Sequence, residues 1–202
     1  MGNIESGIKK FIYFILLSTI LIIIDQISKI LVIQHFGIQY YGLGSVESIP
    51  IIGNFIQFQY IANEGMAFGL NFLPKFALAL FSLIASIGLT IYLYRIRNYS
   101  IWVCLGIALI LAGAVGNLID RAFYDIFFSD GNFLSGKVID FIKVDIPDIT
   151  IFGKEYTHWP VFNVADSCVT VGVILLLIVF KKIPSFNDIF PKKKTNDEIA
   201  SG

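Results

Sequence analysis

Four apolar stretches, each long enough to cross a bilayer, constrain this chain more than any other feature of its sequence. They cover residues 11–33, 74–94, 101–119 and 161–180. About 20 residues of helix span the hydrocarbon core of a membrane. Composition agrees, since 15% of the residues are charged whereas soluble domains carry about 25%. The sequence therefore predicts an α-helical membrane protein with four transmembrane helices, forming one membrane-embedded domain over residues 1–202.

Basic residues predict the direction in which these helices run. Lys and Arg cluster beside the same ends of the four stretches, at Lys9, Lys10, Arg95, Arg97, Lys181, Lys182, Lys192, Lys193 and Lys194. Residues 34–73 contain neither Lys nor Arg. The positive-inside rule then places both termini in the cytoplasm and residues 34–73 and 120–160 outside. We expect an uncleaved first helix and a flexible cytoplasmic tail over residues 184–202.

Two short segments of the outer regions, residues 55–60 and 142–146, alternate apolar and polar side chains. This alternation is typical of half-buried strands. The pairs Gly131-Asn132 and Ser135-Gly136 predict turns between strand and helix. We therefore expect a small extracytoplasmic β-rich element at the membrane surface, above the outer ends of the helices.

Three aspartates, Asp120, Asp140 and Asp166, lie inside or beside apolar runs on the predicted outer side. A carboxylate at the centre of a membrane helix costs about 2.5–3.5 kcal/mol, so such residues are kept mainly for function. Asp140 has hydrophobic neighbours on both sides, which favours a pair with Asp166 that shares one proton. Such a pair activates a water for hydrolysis. A proton relay through the same carboxylates is the alternative.

The third apolar stretch carries a stripe of small and polar residues. Gly113, Gly116, Asn117 and Asp120 recur at the spacing of one helix face, where glycines allow close packing of two helices. Asp120 fits either a functional or a supporting role, since ion-pair networks also use such carboxylates. Arg121 is expected to pair with a nearby carboxylate or with a lipid phosphate.

Two more polar pairs lie near the outer ends of helices. Asn163 and Asp166 fit the cap and first turn of the fourth helix. Asp25 and Lys29 are four residues apart, which predicts an ion pair that holds helices in register. Neither the two histidines nor the two cysteines, which lie in apolar runs, predict a metal site, and the zero net charge argues against a nucleic-acid partner.

Five motifs follow one another between residues 11 and 182: Asp25-Gln26-x-Ser28-Lys29, Asn63-x-Gly65-x-Ala67-Phe68-Gly69, Gly113-x-x-Gly116-Asn117-x-x-Asp120-Arg121, Val138-x-Asp140-Phe141 and Phe162-Asn163-x-Ala165-Asp166-Ser167. In this order they resemble the motifs of bacterial lipoprotein signal peptidases, the signal peptidase II family. Each string is weak alone, but five in order are specific.

The resemblance implies a membrane aspartyl endopeptidase of the bacterial cytoplasmic membrane. It would cut prolipoproteins before a diacylglyceryl-modified cysteine and need no metal or organic cofactor. Its catalytic dyad would be Asp140 and Asp166. The resemblance gives substrate-binding or supporting roles to the other motif residues: Asn63, Gly113, Asn117, Asp120, Arg121, Asn163, Asp25 and Lys29. Met66, Phe68 and Phe162 are candidates for an apolar wall beside the acyl chains.

The chain departs from the family pattern in two outer segments. The stretches between Arg121 and Val138 and between Asp140 and Asp166 are longer than expected, and we predict outer loops at residues 125–136 and 145–156. Two other functions stay open. One is a proton-coupled carrier, which the absence of acidic residues from the middles of helices two to four disfavours. The other is a lipid-modifying membrane transferase.

Overall fold

Helices form most of the computed structural model, which describes residues 2–36, 48–65, 74–151 and 154–189. The first three are α1 (Gly2–Phe36), α2 (Lys75–Arg95) and α3 (Ile101–Ile119). α3 continues through a π-helical turn, Asp120–Tyr124, into α4 (Asp125–Ser129). After the sheet come α5 (Val164–Ile178), a 3-10 turn at Phe180–Lys182 and α6 (Phe186–Ile189).

Three of these helical stretches, Glu5–Phe36, Lys75–Arg95 and Ile101–Ser129, are long and apolar enough to cross a membrane. A fourth crossing results if α5 and the segment after it, which bends by 77°, form one span. The prediction of an α-helical membrane protein is thus confirmed. α1 begins earlier than residue 11 because its polar first turns are helical too, with a salt bridge of 2.7 Å between Glu5 and Lys9.

The outside of the helices is apolar. Large hydrophobic side chains are more than two-thirds exposed on three different helices, with Tyr13 at 69%, Phe81 at 71% and Ile178 at 73%. Soluble monomers rarely expose contiguous apolar surface on this scale, because burying it from water is favourable. These side chains therefore form the lipid-facing surface of the bundle.

α3 lies at the centre of the bundle, in contact with α1, α2 and α5. Its approach to α5 depends on glycine. A Cβ atom added at Gly113 would lie 2.3 Å from the carbonyl oxygen of Ala165, and one at Gly106 would lie 2.7 Å from Leu176. Small residues commonly allow this close packing between membrane helices. The close approach expected from the glycine stripe of α3 is confirmed, and it brings the start of α5 against α3.

An antiparallel sheet lies at one end of the bundle, which we call the sheet end. Its strands are β1 (Ile49–Ile52), β2 (Ile56–Asn63), β3 (Val138–Ile151) and β4 (Lys154–His158), in that order. β3 contains the predicted strand 142–146, and β2 contains the predicted strand 55–60 except its first residue. Apolar side chains of the sheet pack on the ends of α1 and α3, in a cluster with Val32, Tyr60, Tyr124, Ile139 and Phe141.

Of the two long segments predicted as outer loops, residues 125–136 are helical only at their start, whereas residues 145–156 are mostly strand. Residues 125–129 form α4, which continues the helix of α3. Residues 145–156 belong mostly to a hairpin of β3 and β4, in which Asp145 is paired with His158. Pairing satisfies the backbone N–H and C=O groups that a loop would have to leave to water. The loop prediction was therefore wrong for residues 125–129 and for the strands within residues 145–156, whereas residues 130–136 contain no helix or strand and form a loop.

Candidate active site

The structure brings Asp140 and Asp166 to one groove although they lie on different elements. Asp140 is in β3 and Asp166 is in the first turn of α5. Backbone bonds join these elements, since the N–H groups of Phe141 and Ile142 donate to the carbonyl of Phe162 at 3.0 and 2.7 Å. Both aspartates line a groove of about 470 Å³ at the sheet end, together with Trp159.

Asn163 links the two carboxyl groups directly. Its Nδ2 donates to Oδ1 of Asp140 at 2.7 Å, and its backbone N–H donates to Oδ2 of Asp166 at 3.2 Å. In return its Oδ1 accepts the backbone N–H of Asp166 at 2.8 Å, which completes a capping box. The predicted cap of the fourth helix is confirmed. Because Asn163 is fully buried, its position and those of both carboxyls are coupled.

Two other asparagines donate to the outer oxygens of the pair. Nδ2 of Asn63 lies 2.8 Å from Oδ2 of Asp140, and Nδ2 of Asn117 lies 2.8 Å from Oδ1 of Asp166. Asn63 is fixed in turn by the N–H of Gly65, which donates to its Oδ1 at 2.8 Å. Three asparagine side chains and one backbone N–H therefore hold the carboxyls in place.

Burial and the neighbouring charge change the acidity of Asp140. Loss of contact with water, together with the charge of Asp166, raises the pKa of Asp140 from its ordinary value of 3.8 to about 7. The hydrogen bond from Asn63 opposes this rise. A carboxyl with a pKa near neutrality both holds and releases a proton at physiological pH, as a general acid or base requires.

Behind the pair lies a buried ion cluster of Asp25, Lys29 and Asp120. Nζ of Lys29 is 2.9 Å from Asp25 and 2.7 Å from Asp120, and the side chains of Lys29 and Asp120 are fully buried. The predicted ion pair between Asp25 and Lys29 is confirmed. Asp120 is its third member and accepts the backbone N–H of Ile139 at 3.2 Å, so it supports β3 beside Asp140.

This cluster is connected to the aspartate pair at two points. Lys29 donates to Oδ1 of Asn117 at 3.1 Å, which turns the Nδ2 of that side chain towards Asp166. Asp25 accepts the backbone N–H of Ala165, next to Asp166, at 2.9 Å. The ion cluster therefore positions the residues that hold the carboxyls.

Of the two partners expected for Arg121, a carboxylate or a lipid phosphate, the carboxylate is not found among the described residues. Its guanidinium lies 3.3 Å from the carbonyl of Asn117 and 3.4 Å from Oγ of Ser82, and within the described ranges it forms no salt bridge. The reason is geometric, because its neighbour Asp120 points into the cluster with Lys29. Met66 and Phe68, proposed for an apolar wall, lie outside the described residues, whereas Phe162 does line the groove.

Sequence reasoning missed Gln26 and Tyr124. Nε2 of Gln26 donates to Asp120 at 2.9 Å, while its Oε1 accepts the hydroxyl of Tyr124 at 3.1 Å. The only signal for Gln26 was its place between Asp25 and Lys29 in the first motif. Among the described residues no group of three His, Cys, Asp or Glu side chains is arranged to hold a metal ion.

Comparison with known proteins decides the family. The family model for signal peptidase (SPase) II matches residues 17–182. The chain belongs to the signal peptidase II family. It is 34% identical over 184 residues to a lipoprotein signal peptidase of Chlorobium phaeobacteroides, covering 91% of this chain and 98% of that protein. The corresponding enzyme of Chlorobaculum parvum is 37% identical over 172 residues, covering 85% and 97% of the two chains.

Solved structures agree with this assignment. A bacterial membrane enzyme determined by the in meso method at 2.3 Å resolution matches with a TM-score of 0.61 and 28% identity, covering 91% of this chain and 93% of that one. A second such structure, at 1.9 Å resolution, matches with a TM-score of 0.60. As a signal peptidase II, this protein is a membrane peptidase that removes signal peptides from prolipoproteins.

Proposed function

We propose that this signal peptidase II cleaves its substrate by an aspartic-type mechanism in which Asp140 and Asp166 are the catalytic residues. The observation that supports this best is the arrangement around the two carboxyls. They face one groove, share Asn163 as a donor, and each accepts a further amide donor, from Asn63 or Asn117. No other carboxyl of the described residues lines that groove.

In this mechanism the pair holds one proton and one negative charge. Asp140 carries the proton, since burial raises its pKa to about 7, and donates a hydrogen bond to the carbonyl oxygen of the scissile peptide. Asp166 accepts a proton from a water, whose oxygen attacks the carbonyl carbon. As the water adds, the proton of Asp140 passes to the carbonyl oxygen, which gives a neutral tetrahedral intermediate. Asp166 then gives the proton taken from the water to the amide nitrogen, the C–N bond breaks so that the amine leaves, and a hydroxyl of the intermediate returns a proton to Asp140.

The asparagines serve this mechanism by positioning. Asn63, Asn117 and Asn163 donate to the carboxyl oxygens, which fixes the direction of their free lone pairs. Preorganised geometry of this kind lowers the barrier because the groups need not reorient during the reaction. The ion cluster of Asp25, Lys29 and Asp120 acts one step further away, through Asn117 and the backbone of Ile139 and Ala165. Gly113 allows the helix contact on which this placement depends.

The catalytic roles are tested by Asp166→Asn, which keeps a side chain able to accept the N–H of Asn163 but removes the ionisable group. We expect cleavage to be lost while the folded protein remains in the membrane. Cleavage at a rate close to that of the unchanged protein would exclude Asp166 as the base.

We further propose that the substrate is cut before a diacylglyceryl-modified cysteine and that the lipid is required. The groove is walled on one side by Val161, Phe162 and Val171, the last of which is 54% exposed on the lipid-facing surface of α5. The groove is therefore continuous with the membrane. Acyl chains gain about 0.8 kcal/mol for each buried methylene, so a lipid held in the bilayer positions the neighbouring peptide bond at the aspartates.

Matched lipidated and unlipidated precursors test this requirement. We expect the lipidated precursor to have a kcat/KM larger by several orders of magnitude in the same detergent. Similar rates for the two would contradict a lipid requirement without affecting the roles of the aspartates.

We also propose that the sheet end lies outside the bacterial cytoplasmic membrane and that both termini lie in the cytoplasm. It rests on the distribution of Lys and Arg along the sequence. A membrane-impermeant thiol reagent tests it with Glu155→Cys in β4 and Asn98→Cys between α2 and α3, both of which are exposed positions. The two natural cysteines are buried and give little background. We expect labelling of intact cells at 155 alone, and labelling at 98 alone would reverse the topology.

A further inference from the structure

The segment between α3 and β3 has its polar groups inside and its aromatic side chains outside. At its centre the carboxyl of Asp125, only 5% exposed, accepts the hydroxyl of Ser129 at 2.9 Å and the backbone N–H of Asn132 at 3.1 Å. The hydroxyl of Ser135 donates to the same carboxyl. A Cβ added at Gly131 would lie 2.1 Å from Oδ2 of Asp125, so this position accepts only glycine without rearrangement.

Backbone bonds close this segment onto the end of α3. The N–H of Leu134 donates to the carbonyl of Ala122 at 3.2 Å, and that of Gly136 donates to the carbonyl of Arg121 at 3.0 Å. Together with the bonds to Asp125 they fix residues 125–136 against the π-helical turn. The orientation of the outward side chains is therefore built into the fold.

Three phenylalanines, Phe123, Phe127 and Phe133, form the outer surface of this segment, which we call the phenylalanine face. They are 41%, 71% and 58% exposed. They also contact each other, since the ring of Phe123 is 6.2 Å from that of Phe127 and 5.6 Å from that of Phe133. Ile126, at 42% exposed, lies next to them in sequence. In a protein surrounded by water, large aromatic side chains are usually buried and charged side chains are usually exposed, so this segment has the opposite arrangement.

The phenylalanine face lies beside a surface that faces lipid, since the π-helical turn that contains Phe123 contacts α2, on which Phe81 is 71% exposed. Phe123 and Phe127 lie on a helical stretch from Ile101 to Ser129 that includes the π-helical turn and is 29 residues long. At a rise of about 1.5 Å per residue, this stretch is longer than the roughly 30 Å hydrocarbon core but comparable with the roughly 40–45 Å that includes the headgroup layers. The last turns therefore lie in the interfacial layer.

We propose that the phenylalanine face inserts into the interfacial layer of the bilayer at the sheet end of the bundle. Its partner is the boundary between lipid headgroups and acyl chains, where aromatic rings are stabilised by burial. A protein partner or a second copy of the chain is the other possible occupant. Lipid is favoured because the π-helical turn contacts α2, whose exposed side chains face lipid, and because the length of the helical stretch places its last turns in the interfacial layer. This inference does not depend on the catalytic roles of the aspartates.

Tryptophan fluorescence in vesicles tests the inference. The full chain with Trp102→Phe and Trp159→Phe receives Phe127→Trp as its single reporter and is reconstituted into phosphatidylethanolamine and phosphatidylglycerol with added brominated phosphatidylcholine. We expect a loss of emission that is larger when bromine sits near the acyl carbonyl than near the chain end, and little quenching by acrylamide. Phe133→Trp in the same background is an independent reporter should the first variant fail to fold.

Glu155→Trp, in the same background, is the matched control at an exposed polar position of β4. It is expected to show the opposite pattern, quenched by acrylamide but not by brominated lipid. If the reporters at 127 and 133 behave like this control, the face lies in water and the proposal fails. If they are protected from both quenchers, a protein covers the face, which also overturns the proposal.

Discussion

Replacing the buried lysine of the ion cluster gives a sharp test of how this site is held together. Lys29 is fully buried and is the one cation within 4 Å of Asp25 and Asp120 among the described residues. Lys29→Met keeps most of the side-chain volume but leaves both carboxyls without their counter-charge. Removing one partner of a buried ion pair costs about 3–5 kcal/mol, a large fraction of a total stability of roughly 5–15 kcal/mol.

The matched control is Lys9→Met on the same helix. Lys9 forms the same type of i,i+4 pair, with Glu5 at 2.7 Å, but its side chain is 64% exposed. Exposed pairs of this type contribute about 0.3–0.5 kcal/mol, so this variant should be nearly as stable as the unchanged protein. The free energy of unfolding is measured by titrating a denaturing detergent into mixed micelles and following helicity.

A third variant separates charge from packing. Lys29→Met combined with Asp25→Asn and Asp120→Asn removes every charge of the cluster while preserving its shape. Replacement of a buried ion network by neutral groups is often tolerated, so most of the lost stability should return. The reasoning is refuted if Lys29→Met is as stable as Lys9→Met, or if the neutral triple variant is less stable than Lys29→Met alone.

Four further outcomes follow from the site and the helix packing. With the pKa of Asp140 raised to about 7, kcat/KM should fall as pH rises through about 7, because the pair loses its shared proton. The free energy of unfolding should also decline as pH rises from 3.8, the pKa of Asp140 in the unfolded chain, to about 7, its pKa in the folded chain. In this range the folded chain keeps a proton on Asp140 that the unfolded chain has released. Asn63→Ala removes a hydrogen bond that lowers the pKa of Asp140. The pH at which kcat/KM falls should therefore move to a higher value, and an unchanged or lower value would contradict the assigned cause. Gly113→Val should destabilise the α3–α5 contact, since an added Cβ lies 2.3 Å from the carbonyl of Ala165. Gly88→Val is the control, because nothing lies within 4 Å of a Cβ added there. Equal melting temperatures for the two variants would show that the two helices move apart without loss of stability.

Much of this architecture is predictable because it depends on local patterns. The length of apolar runs predicts the long helices, and the spacing of Asp25 and Lys29 predicts their ion pair. The cap formed by Asn163 follows from its place three residues before Asp166. Each of these features depends on residues within one or two helical turns, where sequence spacing determines which side chains meet.

Long-range packing determines what the sequence could not predict. The sequence left the role of Asp120 undecided between function and support. Only the contact of α1 with α3 shows that Asp120 forms a salt bridge with Lys29. Arg121 was expected to pair with a carboxylate or a lipid phosphate, and within the described residues it donates to the carbonyl of Asn117 rather than to a carboxylate. The hairpin at residues 145–156 was missed because its pairing, rather than its composition, satisfies the backbone.

The most direct measurement compares Asp140→Asn with Asp145→Asn in cleavage of a lipidated precursor. Both substitutions remove a carboxyl from β3, but Asp140 is buried at the groove whereas Asp145 is exposed and outside it. The catalytic assignment predicts that Asp140→Asn lowers kcat by several orders of magnitude while Asp145→Asn leaves it unchanged, with both proteins folded in the membrane. Substantial turnover by Asp140→Asn would contradict the assignment of Asp140 and Asp166 as the catalytic pair.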